Sequence, residues 1–281
     1  MALDAHEPDN FSYATPDDPR LKRLVIRIIE TMTGQPQLKK LYDRHRQEPR
    51  AGESFWDAAI RQLELRIDFN EDALARIPKT GPLVIVANHP FGVLDGLVIS
   101  YLTSKARSDF RVLTNSVLYR AEEIRSFLLP IDFAETKDAL NTNLKSRTEA
   151  KNHLLAGGCL VIFPAGGAAT TPKLWSRRAT DLEWKPTTAR LITQARAPVM
   201  PIYFDGQNSR LFQIASHISM TLRLSLFFKE VYDRIGSEIR GRIGDVIPYE
   251  QLERLDRKKL MDHLRATTLA LGNAIPPRRR R

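Results

Sequence analysis

Hydrophobic positions along this chain recur in two rhythms. From the start of the first rhythm they fall at Leu21, Leu24, Val25, Ile28, Ile29 and Met32, the three-and-four spacing of an amphipathic helix. Gly34 and Pro36 close that helix. A short basic helix is predicted from Leu38 to about Arg46. A third runs from Ser54 to Leu65, with Ser54 as N-cap and Asp57 three residues in. Near Phe69 the rhythm changes. Short apolar runs at 83–87, 110–113, 128–133, 159–163 and 199–204 alternate with helical stretches at about 95–105, 119–127, 137–155 and 187–195. Uniformly apolar strands alternating with helices predict an α/β fold. Its sheet is mainly parallel and flanked by helices on both faces, with an N-terminal helical extension. Residues 168–186 read as loop. The C-terminal part holds an apolar run from Leu222 to Phe228, Gly-containing turns and a final helix over about 256–271.

The pattern divides the chain into a loose N-terminus (1–19), a helical segment (20–68), the α/β domain (69–272) and a basic, disordered tail (273–281) ending in Arg278 to Arg281. The helical segment has two readings. It is either a cap on the main domain or a basic amphipathic hairpin in a membrane interface, with Lys22, Arg23, Arg27, Lys39 and Lys40 flanking the stripe.

Composition narrows the partners. A formal net charge of +10 over 281 residues points to anionic ones: lipid surfaces, acidic substrates or nucleic acid. The single cysteine, Cys159, lies inside an apolar run. It reads as a buried thiol in a reducing compartment and leaves no Cys-based zinc site. The N-terminal residues lack a signal-peptide pattern, and no run reaches the roughly 20 apolar residues of a membrane span. The expected location is cytoplasmic, peripheral on the inner face of the cytoplasmic membrane.

Chemistry concentrates at the strand ends. The run 83–87 closes in Asn88-His89-Pro90-Phe91-Gly92, and Asp95 stands where helical periodicity resumes. A His and an Asp thus flank a strand-to-helix turn. A neutral imidazole can take a proton from a hydroxyl near pH 7, and a carboxylate on its far nitrogen fixes the tautomer. No Ser or Cys stands in this turn, so the hydroxyl would belong to the substrate; a purely structural turn is the alternative. Three other stretches stand out: Val112 to Phe133 with Asn115, Arg120, Arg125 and Pro130; Pro164-Ala165-Gly166-Gly167; and Val199 to Phe204 with Pro201. The chain has no nucleophile elbow, Walker loop or dinucleotide fingerprint. It also lacks a helix-turn-helix, RNA-recognition or zinc-finger pattern.

Taken in order, these four blocks resemble those of the glycerolipid acyltransferase family, the lysophosphatidate-acyltransferase type. The closest likeness is to its bacterial hemolysin-like and ornithine-lipid branch. There the first block resembles N-H-P-x-G-x-x-D-G and the fourth P-x-Y-F-x-G-x-N-S, present here from Pro201 to Ser209. The resemblance covers about residues 70–270. It implies an O-acyltransferase moving a fatty acyl group from acyl-CoA or acyl carrier protein to a lysolipid hydroxyl, with no bound cofactor and no metal. His89 would be the base and Asp95 its orienter. Asn88, Asn115, Arg125, Pro164, Gly166, Gly167 and Pro201 would contact substrate, Arg125 holding an anionic head group with Arg177, Arg178 and Lys185 as lesser candidates. Partners would be membrane lipids and the donor, not nucleic acid. Two departures stand out: five residues separate His89 from Asp95 where four are commoner, and the third block carries Ala165 and Gly167 where Glu is common. A non-catalytic protein binding anionic surfaces or nucleic acid on the same fold is the competing reading.

Overall fold

A computed structural model describes residues 19–32, 34–47, 50–115, 122–132 and 136–276. The expected loose start, Arg120, the first part of the 119–127 helix, Phe133 and the arginine tail lie outside the described residues.

The helical segment comprises α1 (Arg20–Met32), α2 (Gln35–Gln47) and α3 (Phe55–Gln62). Ser54 caps α3 as its neighbours predict, its hydroxyl accepting from the Asp57 N–H at 3.1 Å. Next come β1 (Arg66–Asp68), α4 (Glu71–Ala75), β2 (Leu83–Ala87), α5 (Val93–Ser104) and β3 (Phe110–Asn115). A 3₁₀ segment (Glu122–Phe127) leads into β4 (Leu128–Ile131), α6 (Lys137–Leu155), β5 (Cys159–Ile162), α7 (Pro186–Ala195) and β6 (Val199–Asp205). Then come α8 (Arg210–Ile218), α9 (Met220–Ser225), α10 (Phe227–Tyr232), β7 (Glu238–Ile243), α11 (Tyr249–Leu252), α12 (Arg257–Ala270) and a 3₁₀ segment (Leu271–Ala274), so the expected disordered tail is ordered in its first residues.

The described strands form one seven-stranded sheet in the order β1-β7-β6-β2-β5-β3-β4. Every pairing is parallel except β6 with β7. The central strands β2 and β5 are buried at every position, which is why they read as unbroken apolar runs. Their side chains alternate between two cores. Leu83, Ile85 and Ala87 face Trp56, Leu94, Val98 and Leu102 of α3 and α5. Val84, Val86 and Leu160 face Leu154 of α6, Ile192 of α7 and Leu264 of α12. Helices therefore cover both faces of a mainly parallel sheet.

Several elements were not legible in the pattern. Strand β7, Glu-Ile-Arg-Gly-Arg-Ile, interleaves arginines with apolar residues because Arg240 forms ion pairs with Asp68 and Asp205, at 3.5 and 3.7 Å. The run 222–228 is not one segment but the junction of α9 and α10. Within 119–127, the described part is 3₁₀ rather than α.

The N-terminal stripe is divided. Ile29 is half-buried against a cluster of Phe212, Ala215, Leu226 and Phe227, which also takes in Ile26. Leu24 and Ile28 stay exposed, at 55% and 47%. The side chains of Leu21, Val25 and Met32 lie outside the description. No helix among the described residues is long and apolar enough to cross a membrane.

Candidate active site

The turn after β2 is built by three backbone requirements. Pro90 ends the strand and keeps His89 extended. Gly92 takes φ +79°, and a β-carbon there would collide with the Phe227 ring, so no other residue fits. Asp95 sits at the third position of α5 and reaches back over the helix start. Its Oδ2 accepts from the N–H groups of Phe91 at 2.8 Å and Gly92 at 2.9 Å, a carboxylate satisfying the orphan donors of a helix N-terminus.

That same oxygen lies 3.0 Å from Nδ1 of His89. A carboxylate only accepts, so in this pair Nδ1 is the donor. The five-residue spacing thus still closes the pair. The imidazole stacks on Phe163, ring centroids 4.1 Å apart and planes 23° off parallel. Asp95 is fully buried; desolvation pushes its carboxyl above the usual range, opposed by the hydrogen bonds from His89, Phe91 and Gly92.

The main chain of His89 is held as firmly as its ring. Its N–H donates to Oδ1 of Asp181 at 3.0 Å, and its carbonyl accepts from Ala169 at 2.7 Å. The other oxygen of Asp181 accepts from the Trp184 indole at 2.6 Å. Burial also raises the Asp181 carboxyl. Nothing in the local pattern marked Asp181, because its partner lies 92 residues away.

The fourth block supports the turn from beneath. Gly206, at φ +142°, makes room for the Phe91 ring, which a β-carbon would strike. Arg234 lies over the same ring, 4.4 Å from its centroid. Ser209 caps α8 and donates to the buried Glu230, which pairs with Arg234 at 3.1 Å.

Two expected substrate contacts are structural instead. The Asn88 amide is committed to the main chain of β6: Nδ2 donates to the Phe204 carbonyl at 2.9 Å and Oδ1 accepts its N–H at 2.8 Å. Pro201 is buried within β6, paired with Val86, and its carbonyl accepts from Gly244 at 2.8 Å. Its missing N–H falls where β7 has ended, so the ladder loses nothing.

The remaining candidates divide by position. Asn115 ends β3, two strands from β2. Arg125 is exposed on the 3₁₀ segment that enters β4, toward the opposite end of the sheet and three strands away. Arg177 and Arg178 are exposed on the 168–186 loop. Pro164, Gly166 and Gly167 do come to the site: Phe163 stacks on His89, and the Pro164 carbonyl accepts from the Lys185 N–H at 3.0 Å.

Along α5, one turn from the pair, a cavity of about 210 Å³ opens. Its walls include Tyr42, Trp56, Val93, Leu97, Ile124 and Phe228. Cys159 is buried in β5, where burial pushes its thiol up to about 12, away from thiolate character. No cluster of metal-ligating side chains occurs among the described residues.

A family model described as acyltransferase matches residues 45–275. A protein of Phocaeicola vulgatus named lyso-glycine lipid O-acyltransferase is 24% identical over 219 residues, which is 75% of this chain and 72% of that protein. Its namesake in Bacteroides thetaiotaomicron is 23% identical over 221 residues, 75% and 74% of the two chains. The fold is similar to the crystal structure of the 1-acyl-sn-glycerophosphate (LPA) acyltransferase PlsC from Thermotoga maritima. The TM-score is 0.52 at 12% identity, covering 91% of this chain and 97% of that one.

Proposed function

The chain belongs to the acyltransferase family whose model spans residues 45–275, and on that premise we propose that it moves a fatty acyl group from a thioester, acyl-CoA or acyl carrier protein, to the hydroxyl of a lysolipid. The observation that carries this reading is the His89–Asp95 pair, 3.0 Å apart at the carboxyl end of the central strand, where parallel sheets place their sites.

His89 Nε2 accepts the hydroxyl proton as the acceptor oxygen attacks the thioester carbonyl. The tetrahedral intermediate collapses with cleavage of the C–S bond, and the imidazolium returns its proton to the leaving thiolate. Asp95 holds the ring and stabilises the imidazolium. No protein nucleophile is needed. The acyl chain lies in the apolar cavity along α5. The names of the two relatives favour an acceptor whose head is an amino acid with a free carboxylate, a lyso-amino-acid lipid, over a phosphate ester.

The enzyme works on a bilayer surface. Leu24 and Ile28 of α1 are exposed, with Arg20 and Arg27 beside them. Helix α9, which packs on α1, exposes Met220 at its start. Arg210 of α8 donates to the Ser176 carbonyl at 2.6 Å, tying α8 to the loop that presents Trp175. Apolar tips among basic residues fit an anionic lipid surface.

The test is His89→Ala. Transfer to a hydroxylated lysolipid should fall by about 10²–10⁴-fold with an unchanged melting temperature. Turnover at the wild-type rate would overturn the mechanism.

A further inference from the structure

The ladder of β2 ends at Ala87, which pairs with Ile202 of β6. The N–H and carbonyl of His89 lie past it and need partners of their own. Both partners come from the loop between β5 and α7. Asp181 accepts the N–H through Oδ1 at 3.0 Å, and the Ala169 N–H donates to the carbonyl at 2.7 Å. With Pro90 next in the chain, these two bonds fix the peptide planes on either side of the His89 Cα.

A carboxylate is a costly acceptor for one backbone N–H. Asp181 is 8% exposed, and a buried charge needs compensation. Its surroundings call for two acceptors. The His89 N–H takes one oxygen and the Trp184 indole takes the other, at 2.6 Å. An amide would offer a single oxygen and set its NH₂ against the second donor. The loop is itself anchored. Thr170 and Thr180 bridge antiparallel, and the Ala179 N–H donates to Oε1 of Gln207 in the fourth block at 2.8 Å. Arg265 of α12 donates to the Asp181 carbonyl at 2.9 Å. A line of support therefore runs from α12 and the fourth block, through one carboxylate, to the main chain that carries the imidazole.

We infer that Asp181 is a positioning residue of the acyl transfer: it aims the imidazole by holding the His89 main chain, without touching substrate. The inference rests on the acyltransferase reading and deepens it. A residue that acts in this way changes the rate of the step in which His89 takes the proton, not the affinity for either substrate.

The experiment uses the full chain with acyl-CoA as donor and a hydroxyacyl-glycine as acceptor. Rates are taken well below each variant's melting temperature and normalised to folded protein. Asp181→Asn should lower kcat roughly 10–100-fold, the cost of a displacement of about 1 Å. KM for both substrates should stay put. Asp181→Glu keeps both acceptor oxygens one methylene farther out. It should lose less of kcat, likewise spare KM, and carry the same comparisons if the Asn variant does not fold. In a His89→Ala background, Asp181→Asn should cost nothing further, because the residue it works through is gone. A merely structural Asp181 would lower the melting temperature and leave kcat of the folded enzyme alone. That result, a change confined to KM, or the same fold-loss with and without His89 would overturn the assignment. A measurement without turnover keeps failure of the catalytic reading separable. In ¹H–¹⁵N spectra of histidine-labelled protein, the proton between His89 Nδ1 and Asp95 is assigned by its loss in His89→Ala. It should shift or broaden in Asp181→Asn. An unchanged resonance overturns the assignment whether or not the protein transfers acyl groups.

Discussion

Asp95 does three things with one oxygen: it caps α5, closes the turn and holds the imidazole. Its other oxygen, Oδ1, is buried without a hydrogen-bond partner, so the charge is costly to keep. The sign of that cost is testable. The ordinary carboxyl value is 3.8, and burial raises it in the folded chain. Below the ordinary value the group is protonated in both states, and its favourable contribution to folding is fully present. As pH rises through the raised folded value, that contribution is lost. Asp95→Asn has no such loss. In urea titrations at about pH 4 and about pH 7, wild type should therefore lose stability relative to Asp95→Asn on going up. Turnover of the variant should nonetheless fall by roughly 10²–10⁴-fold. Asn88 shows the limit of reading residues singly. An Asn beside the proposed base His89 looks like a substrate contact, yet its amide is held by the main chain of Phe204, as the Asn70 amide is by Ile243.

Among elements, the strand–turn–helix unit of β2 and α5 depends on two aromatic rings meeting glycines. Gly92→Ala forces φ +79° on an L-residue and drives its methyl into Phe227. Denaturant midpoints should show a loss of at least about 2 kcal/mol, and turnover should drop with it because α5 carries Asp95. Strands β2, β5 and β6 were legible because they are buried on both faces and so lack polar interruptions. Strand β7 was not, since Arg240 and Arg242 sit in it for reasons only Asp68, Asp205 and the C-terminal carbonyls supply. The His89–Asp95 pair was legible because it is local. Asp181 was invisible because it meets the His89 main chain through tertiary packing, 92 residues away.

At the scale of the whole molecule, the chain carries a charge of +10 and α1 leaves the apolar tips of Leu24 and Ile28 exposed. The stripe is split: Ile26 and Ile29 belong to the core, as a cap on the main domain requires, while Leu24 and Ile28 lie outside it. Replacing both exposed residues with Glu leaves the packed side untouched. Leu24→Glu/Ile28→Glu should keep its melting temperature, and its activity on a dispersed short-chain acceptor. It should lose binding to vesicles containing anionic phospholipid in a sedimentation assay; equal sedimentation of variant and wild type would show that α1 stays off the lipid. The grip on the His89 main chain has a wider reach. Ala169 and Asp181 both belong to the loop between β5 and α7 that follows the third block. On the proposed acyltransferase reading, if this loop also met the acceptor, the part that selects a substrate would be the part that aims the base. Such a site is not modular: swapping that loop for a relative's to change lipid preference also resets the alignment of the imidazole, so new specificities arise only through changes that keep both anchors.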